Sequence, residues 1–397
     1  MAGGNKPLVL VWFVVLVGAV VGLSILSTQL WVQKSEEIPP PTQVVIEEGM
    51  TVGQFGEANG LEGPILKELF GLAGQGDLEK PLADFNLTTE QIQEKVNQAR
   101  VLEAEHESKD WRKILIKFGL WFAFLIAVFF LLRGEKVTPL MRKFLYLLAI
   151  AVFGVVLGAD PSPMGTVKDA IHLFAVSKVV FPPRMIALGV FLLIVFLANK
   201  FICSWGCQFG VLQDMIFRLN RNAKDSKGIF PQYKPSFLFS NTVRVLFLAA
   251  FTVAAVLWAV DIIEFYDPFK IYKPLVLLWY GIAVIGALLV LSLFVYRPWC
   301  HFFCPFGLVG WLVEKISLAK IKVNYETCIA CEACAKACPS TVMSAILKRD
   351  KAVIPDCFSC GTCMGVCPTD SISFGAGKRQ KPPADHFINK REAQAAS

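Results

Sequence analysis

Twelve cysteines carry the chemistry of this 397-residue chain, and all of them lie beyond residue 200. Eight form two runs, Cys328-Ile-Ala-Cys331-Glu-Ala-Cys334-Ala-Lys-Ala-Cys338-Pro339 and Cys357-Phe-Ser-Cys360-Gly-Thr-Cys363-Met-Gly-Val-Cys367-Pro368, offset by 29 residues. Each reads C-x2-C-x2-C-x3-C-P. The short spacers wrap three thiolates around one iron–sulfur cube, and the fourth cysteine reaches the other cube. The expected ligand sets therefore cross over: Cys328, Cys331, Cys334 and Cys367 on one [4Fe–4S] cluster, and Cys357, Cys360, Cys363 and Cys338 on the other. The fourth cysteine of each run is expected to start a helix. Zinc pairs one C-x2-C with a distant second pair, and a cytoplasmic block should not be disulfide-bonded.

Residues 321–376 resemble bacterial two-cluster ferredoxins, an α+β fold, with Ile321–Val323 and Ser371–Phe374 as the expected strands. The other four cysteines align without gaps in Lys200-Phe-Ile-Cys203-Ser-Trp-Gly-Cys207-Gln-Phe-Gly210 and Arg297-Pro-Trp-Cys300-His-Phe-Phe-Cys304-Pro-Phe-Gly307. A cation stands three residues before the first thiol, the thiols are four apart, and Phe-Gly follows. Thiols at i and i+4 share one helical face, and an adjacent Lys200 or Arg297 favours thiolate. Three readings stay open for Cys203, Cys207, Cys300 and Cys304: a third iron–sulfur or other metal site, redox-active thiols, or buried structural cysteines. Basic residues at a cytoplasmic helix end are also expected for topological reasons alone.

The elements that must position these thiols lie in a membrane. Apolar residues make up 55% of the chain, charged residues 18%, and the mean hydropathy is +0.53, too greasy for a soluble domain. Six segments approach the length of a bilayer span: Leu8–Leu30, Ile114–Leu132, Phe144–Gly158, Met185–Phe201, Val245–Val260 and Leu275–Tyr296. The first has no small-residue cleavage site and is expected to stay as an anchor (residues 1–31). Residues 113–310 form a membrane domain. Within it, 140–210 and 240–307 each read as span, Asp-Pro loop, span, C-x3-C. That repeat would relate the halves by an axis along the membrane normal and gather both thiol pairs at the cytoplasmic edge. The fold class expected is an α-helical bundle of about six transmembrane helices with a C-terminal α+β two-cluster domain over 321–376. Residues 377–397 read as a flexible tail.

Charge sets the orientation. The net charge of +7 hides a segment, 34–110, with 16 acidic and 6 basic residues. Arg133, Lys136, Arg142 and Lys143 in one loop, and Arg218, Arg221, Lys224, Lys227 and Lys234 in another, point both loops and both termini to the cytoplasm. Arg112, Lys113 and Lys117 dissent and would have to snorkel at the outer end of the second span. The acidic segment, within a periplasmic helical module over 32–112, follows Pro39-Pro40-Pro41. Thr51–Leu72 and Thr88–Val101 read as short helices, and Thr88 to Gln91 have capping-box spacing. The module is either a solvated helical unit or a docking face for a basic periplasmic redox protein such as a c-type cytochrome. Asp160 and Asp267, each before a proline, either handle protons or cap their loops.

Several classes are excluded. The uneven charge argues for membrane topology, not nucleic acid. His106, His172, His301 and His386 are the only histidines and none lies inside a span, which disfavours a bis-His membrane haem. Neither a P-loop nor a dinucleotide fingerprint is present.

In this order of motifs the chain is similar to the membrane-bound polyferredoxins of the NapH/NosR type, over about residues 115–376. The resemblance implies an electron-transfer or quinol dehydrogenase subunit of an anaerobic respiratory complex in the bacterial cytoplasmic (inner) membrane, with quinone or quinol and other complex subunits as partners. A related C-x3-C-P branch implies an alternative, an accessory factor that reduces metal during oxidase or metalloenzyme assembly. Two departures stand out: Gln208 occupies the place of a proline, and the outer segment carries no flavinylation motif.

Overall fold

Long apolar runs in this chain become helices, and the computed structural model describes residues 6–28, 43–47, 49–72, 75–85, 87–159, 162–349, 356–384 and 386–387. It divides into two units: Met1–Val32, Arg112–His172 and Pro183–Ser397, and Gln33–Trp111 with Leu173–Pro182. The Pro39-Pro40-Pro41 linker, Asp160 and the chain after residue 387 lie outside the described residues.

In chain order, α1 is Lys6–Thr28. The smaller unit then holds α2 (Val52–Asn59), α3 (Gly63–Phe70) and α4 (Thr89–Glu107). Thr51 and Thr88 each close a full capping box, with Gln54 and Gln91 respectively, which satisfies backbone donors that a helix start otherwise leaves orphaned. The stretch 51–72 is broken at Gly60, whose φ of 63° only glycine adopts cheaply. Val52, Phe55, Leu66, Leu69, Phe70, Ile92 and Val96 form its core.

The larger unit is built from α5 (Trp111–Arg133), α6 (Pro139–Ala149, prolonged by a π-turn over Ile150–Val156), α7 (Pro163–Ser177, whose residues from Leu173 on belong to the smaller unit) and α8 (Pro182–Ala198). Then come α9 (Phe201–Trp205), α10 (Gln208–Leu219), α11 (Phe237–Trp258), α12 (Trp279–Leu291), α13 (Pro298–Phe302) and α14 (Pro305–Glu314). Among the described residues, four helices are long and apolar enough to cross a membrane: α1, α5, α6 with its π-turn, and α11. The fourth and sixth expected spans fall short. α8 has 17 residues and α12 only 13, about 20 Å of helix for α12 against a core of about 30 Å. Pro268 and Pro274 hold the preceding stretch in 3-10 turns, so α12 starts late.

The cysteine block follows. Strands β1 (Ala319–Val323) and β2 (Ile372–Ala376) pair antiparallel, with Ile321 opposite Phe374 and Val323 opposite Ile372. Between them lie the short helices α15 (Ala333–Ala337), α16 (Val342–Lys348) and α17 (Thr362–Gly365). The inward strand residues Ala319, Ile321, Val323, Ile372 and Phe374 are buried in the same core as α5, and Phe129 meets the Phe374 ring edge-on at 5.6 Å.

Candidate functional site

The two cysteine runs fold alike because their spacers bend alike. Ala330 and Ser359, one residue before the second cysteine of each run, both take positive φ, as do Glu332 and Gly361 one residue after it. Left-handed residues on both sides curl the loop around its centre. Glycine is required only at 361, where an added Cβ would stand 2.6 Å from Leu132.

Two cavities result. One is lined by Cys328, Cys331, Cys334 and Cys367, the other by Cys338, Cys357, Cys360 and Cys363. Each holds three thiols of one run and the last thiol of the other. Cys338 caps the end of α15 and Cys367 comes two residues after α17, so neither starts a helix as the spacing suggested. The last cysteine must swing across to the other run, and a helix end gives it an extended ψ of 129° at Cys338. Cys367 Sγ accepts from Ser371 N at 3.3 Å, and Thr362 Oγ1 lies 3.4 Å from Cys360 Sγ. Burial pushes the Cys334 thiol up to about 12, so a thiolate there needs a cation in the cavity to neutralise it. Four sulfur donors per cavity, closed on themselves, fit a [4Fe–4S] group.

The other four thiols do not sit on continuous helices. Cys203 lies in α9 and Cys207 is the cap that begins α10; Cys300 lies in α13 and Cys304 begins α14. The chain breaks between the thiols of each pair, at Gly206 and at Phe303, so the shared helical face expected from their spacing does not form. Gln208 and Pro305 nonetheless take the same first position of their helices. The shared Phe-Gly has a reason: a Cβ at Gly210 would stand 2.8 Å from the Cys203 carbonyl, and one at Gly307 the same distance from the Cys300 carbonyl.

These turns are interior. Every residue from 198 to 218 is buried. Trp121, ten residues into α5, donates to the Gly206 carbonyl at 2.9 Å, and Tyr272 donates to the Gln208 carbonyl at 3.1 Å. Ten residues correspond to about 15 Å along the helix axis, so the turn packs against the middle of α5. Such non-helical backbone is tolerated at depth only when protein satisfies it. Cys207 lies in the electrostatic reach of Cys203, Cys300 and Cys304.

Buried charges lock the turns in place. Lys200 pairs with Asp356 and donates to the Gly307 carbonyl at 3.2 Å. Arg244, inside α11, reaches Asp356 at 2.8 Å and the Gly307 carbonyl at 2.7 Å. Arg297 donates to the Cys203 carbonyl and to Asp214 at 2.5 Å. Asp214 also accepts from Tyr146 at 2.9 Å and Tyr296 at 3.0 Å, and pairs ionically with Arg218 at 2.8 Å. Arg142 and Arg218 share Asp225, and both donate to Thr362 Oγ1 beside the second cavity. The Phe358 ring, between Cys357 and Cys360, lies 4.2 Å from Lys200 Nζ and 5.3 Å from the Arg297 guanidinium. Burial alone would raise Asp356, but Lys200 and Arg244 hold its carboxyl well below the usual range.

Sequence reasoning missed this network. Arg142, Arg218 and Arg221 read as loop charges that orient the chain, yet they and their partners Asp214 and Asp225 are buried and paired. Their weight as topological signals falls accordingly. A legible signal was Arg244, a charge flanked by Val243 and Val245 at the start of an apolar run. Asp267 caps the turn that follows it, through Phe269 N at 2.9 Å, and lies 3.9 Å from Lys168. His301 is enclosed by Tyr296 and Phe358, and burial lowers its imidazole to about 4.

Four helices apolar and long enough to cross a membrane, with two sulfur-lined cavities, suit a membrane protein that holds iron–sulfur groups. The family described as 4Fe-4S dicluster domain matches residues 327–372, and the family described as 4Fe-4S binding domain matches 180–224 and 277–324, each segment holding one thiol turn. The chain is 31% identical over 167 residues to "Putative electron transport protein YccM" of Escherichia coli (strain K12), a match covering 40% of this chain and 46% of that one. It is 28% identical over 145 residues to "Regulatory protein NosR" of Pseudomonas aeruginosa, covering 34% of this chain and 19% of that one. The chain thus spans less than half the length of either curated relative. No solved structure matches it.

Proposed function

We propose that this chain is the membrane iron–sulfur subunit of an anaerobic respiratory complex, quinol dehydrogenase-like, which exchanges electrons between the quinone pool and a partner. The observation that carries the reading is the pair of cavities, each with four cysteines drawn from both runs. Cys328, Cys331, Cys334 and Cys367 would hold one [4Fe–4S] cluster, and Cys357, Cys360, Cys363 and Cys338 the other. When bound, such clusters supply one-electron steps, which a quinol's two-electron, two-proton chemistry needs as an adaptor. Phe358, Trp205 (donating to the Ser359 carbonyl at 3.2 Å) and the Lys200–Asp356 pair join the thiol turns to the second cavity. Cys331 is exposed, which opens the first cavity to a partner.

The domain plan proposed is an anchor over 1–31, a periplasmic acidic module over 32–112 that meets a c-type cytochrome or similar redox protein, a membrane domain of about six spans over 113–310, a cytoplasmic two-cluster domain over 321–376 and a tail over 377–397. Both termini are then cytoplasmic, in a bacterial inner membrane. Cys203, Cys207, Cys300 and Cys304 form a third iron–sulfur or metal site, or a redox thiol set.

Iron and acid-labile sulfide assays with EPR on anaerobically purified protein, titrated with a quinol analogue, test this. About eight irons support two clusters alone and about twelve support a third. Clusters that no quinol reduces and no quinone oxidises would remove the quinol dehydrogenase reading. Similarity to a regulatory protein favours a second reading, an accessory factor whose thiols reduce metal. Metal reduction that vanishes in Cys203→Ser, with cluster signals intact, would support it.

A further inference from the structure

We propose that the Thr362 hydroxyl, oriented by Arg142 and Arg218, donates a hydrogen bond to Cys360 Sγ and so raises the reduction potential of the group held in the second cavity, but not of the one in the first. The inference rests on the reading of both cavities as [4Fe–4S] sites.

The two cysteine runs have the same spacing, so a difference between their clusters must come from what fills and surrounds the spacers. With the offset of 29 residues, Gly361 and Thr362 stand where the first run has Glu332 and Ala333. Some contacts are shared. Ser340 Oγ lies 3.6 Å from Cys338 Sγ, and its counterpart Thr369 Oγ1 lies 3.7 Å from Cys367 Sγ. The hydroxyl at 362 is not shared, since Ala333 offers none. The first cavity is lined at this place by Glu332, an acid paired with Lys348 at 3.4 Å.

Geometry decides where the Thr362 proton goes. A hydroxyl has one proton and two lone pairs. Arg142 donates to Thr362 Oγ1 at 3.2 Å and Arg218 at 3.1 Å, which engages both lone pairs. Two acceptors lie within reach of the proton, Cys360 Sγ and Asp225 Oδ2, each at 3.4 Å. For oxygen that is long, beyond the roughly 3.0 Å limit of O–H···O bonds; sulfur is the larger atom and suits it. Asp225 Oδ2 is also engaged already, by Arg142 at 2.6 Å and by Arg218. The group is dry: Thr362 and Arg142 are 2% exposed and Arg218 is 1% exposed. A hydrogen bond is electrostatically stronger there than in water. Burial would raise the Cys360 thiol, but Arg218 and Arg142 outweigh it and bring it below its ordinary value; at Cys357 and Cys363 burial prevails. Reduction adds negative charge to the sulfurs, so a donor fixed on one of them favours the reduced form and raises the potential.

The test is a redox titration of the full chain, purified anaerobically with its iron and followed by EPR. T362A and T362V remove the hydroxyl, and one midpoint should fall by about 59 mV, a tenfold change in a one-electron equilibrium, while every other midpoint stays. T362S keeps the hydroxyl and should keep the wild-type value. R142Q should lower the same midpoint and no other. A midpoint does not depend on how much of the protein is loaded, so a variant that loses part of its iron still reports it. Unmoved midpoints in T362A and T362V, or an equal fall in T362S, overturn the assignment. A fall shared by every cluster overturns it too, because it marks a general loosening of the fold. An unmoved R142Q overturns the part given to Arg142. Wild-type protein that holds neither iron nor acid-labile sulfide sinks the cluster reading itself, and the inference with it.

Discussion

The two thiol turns share a backbone plan and are unequal in what they hold. Both break their helix between the cysteines, both begin the next helix at the second cysteine, and both need glycine for a backbone contact. Their cations differ. Arg297 of the second turn reaches back to Asp214 and the Cys203 carbonyl, tying the two repeats together. Lys200 of the first turn reaches Asp356, one residue before Cys357, and ties the helices to the cysteine block. Duplication preserves what the backbone demands, while side-chain partners diverge because each copy meets a different neighbour.

The comparison can be broken at several points. Asp214→Ala should have the largest effect: it strands Arg297 and takes one partner from Arg218, and orphaning a buried ion costs about 3–5 kcal/mol. Denaturant unfolding in detergent would show it. Asp356→Ala strands Lys200 and Arg244 and should cost a similar amount, about 3–5 kcal/mol, but with a distinct signature, loss of iron from the second cavity ahead of unfolding. Equal iron content in both variants would show that the two cations do the same job. Tyr296→Phe removes one of three hydrogen-bond donors to Asp214 and should cost about 1.5–3 kcal/mol, the range for hydrogen bonds to charged groups. Pro305→Gln makes the second turn like the first and should cost about 0.5–1 kcal/mol through chain entropy, with the thermal midpoint as readout.

The smallest effect concerns pH. Burial depresses Lys168, but Asp169, Asp267, Asp261 and Glu264 outweigh it and hold it well above its ordinary value. Burial would raise Glu264, but Lys168 and Lys270 bring it below the usual range. A depressed carboxylate contributes stability that is present above its unfolded value of about 4.3 and lost as pH falls through the folded one; a raised lysine contributes fully below about 10.4. The contribution of this cluster to stability should therefore stay level between about pH 5 and 10 and be lost first on the acid side. Glu264→Gln should flatten that acid limb by well under about 1 kcal/mol, since its side chain is 52% exposed and screened by solvent.

Much of this architecture was legible because it is local. Capping at Thr88 depends on four consecutive residues, and the strands around Ile321 and Phe374 show in a short alternation that one buried face explains. The long apolar runs of α1 and α5 could hardly be anything but helices. Misreadings arose where a distant partner decides. The spacing of Cys203 and Cys207 fits one helix as well as it fits a broken turn, and partners far along the chain, such as Trp121 on the Gly206 carbonyl, hold the turn.

By itself, then, the sequence determined the apolar helices, their caps and the cysteine spacings, since each rests on neighbours a few residues apart. Tertiary structure alone decided which charges are loop charges and which are core. Arg142 meets Asp225 across 83 residues and Lys200 meets Asp356 across 156. An isolated charge on a helix end and a buried ion pair have the same sequence; only the arrival of the partner separates them, because burial without it would be too costly to persist.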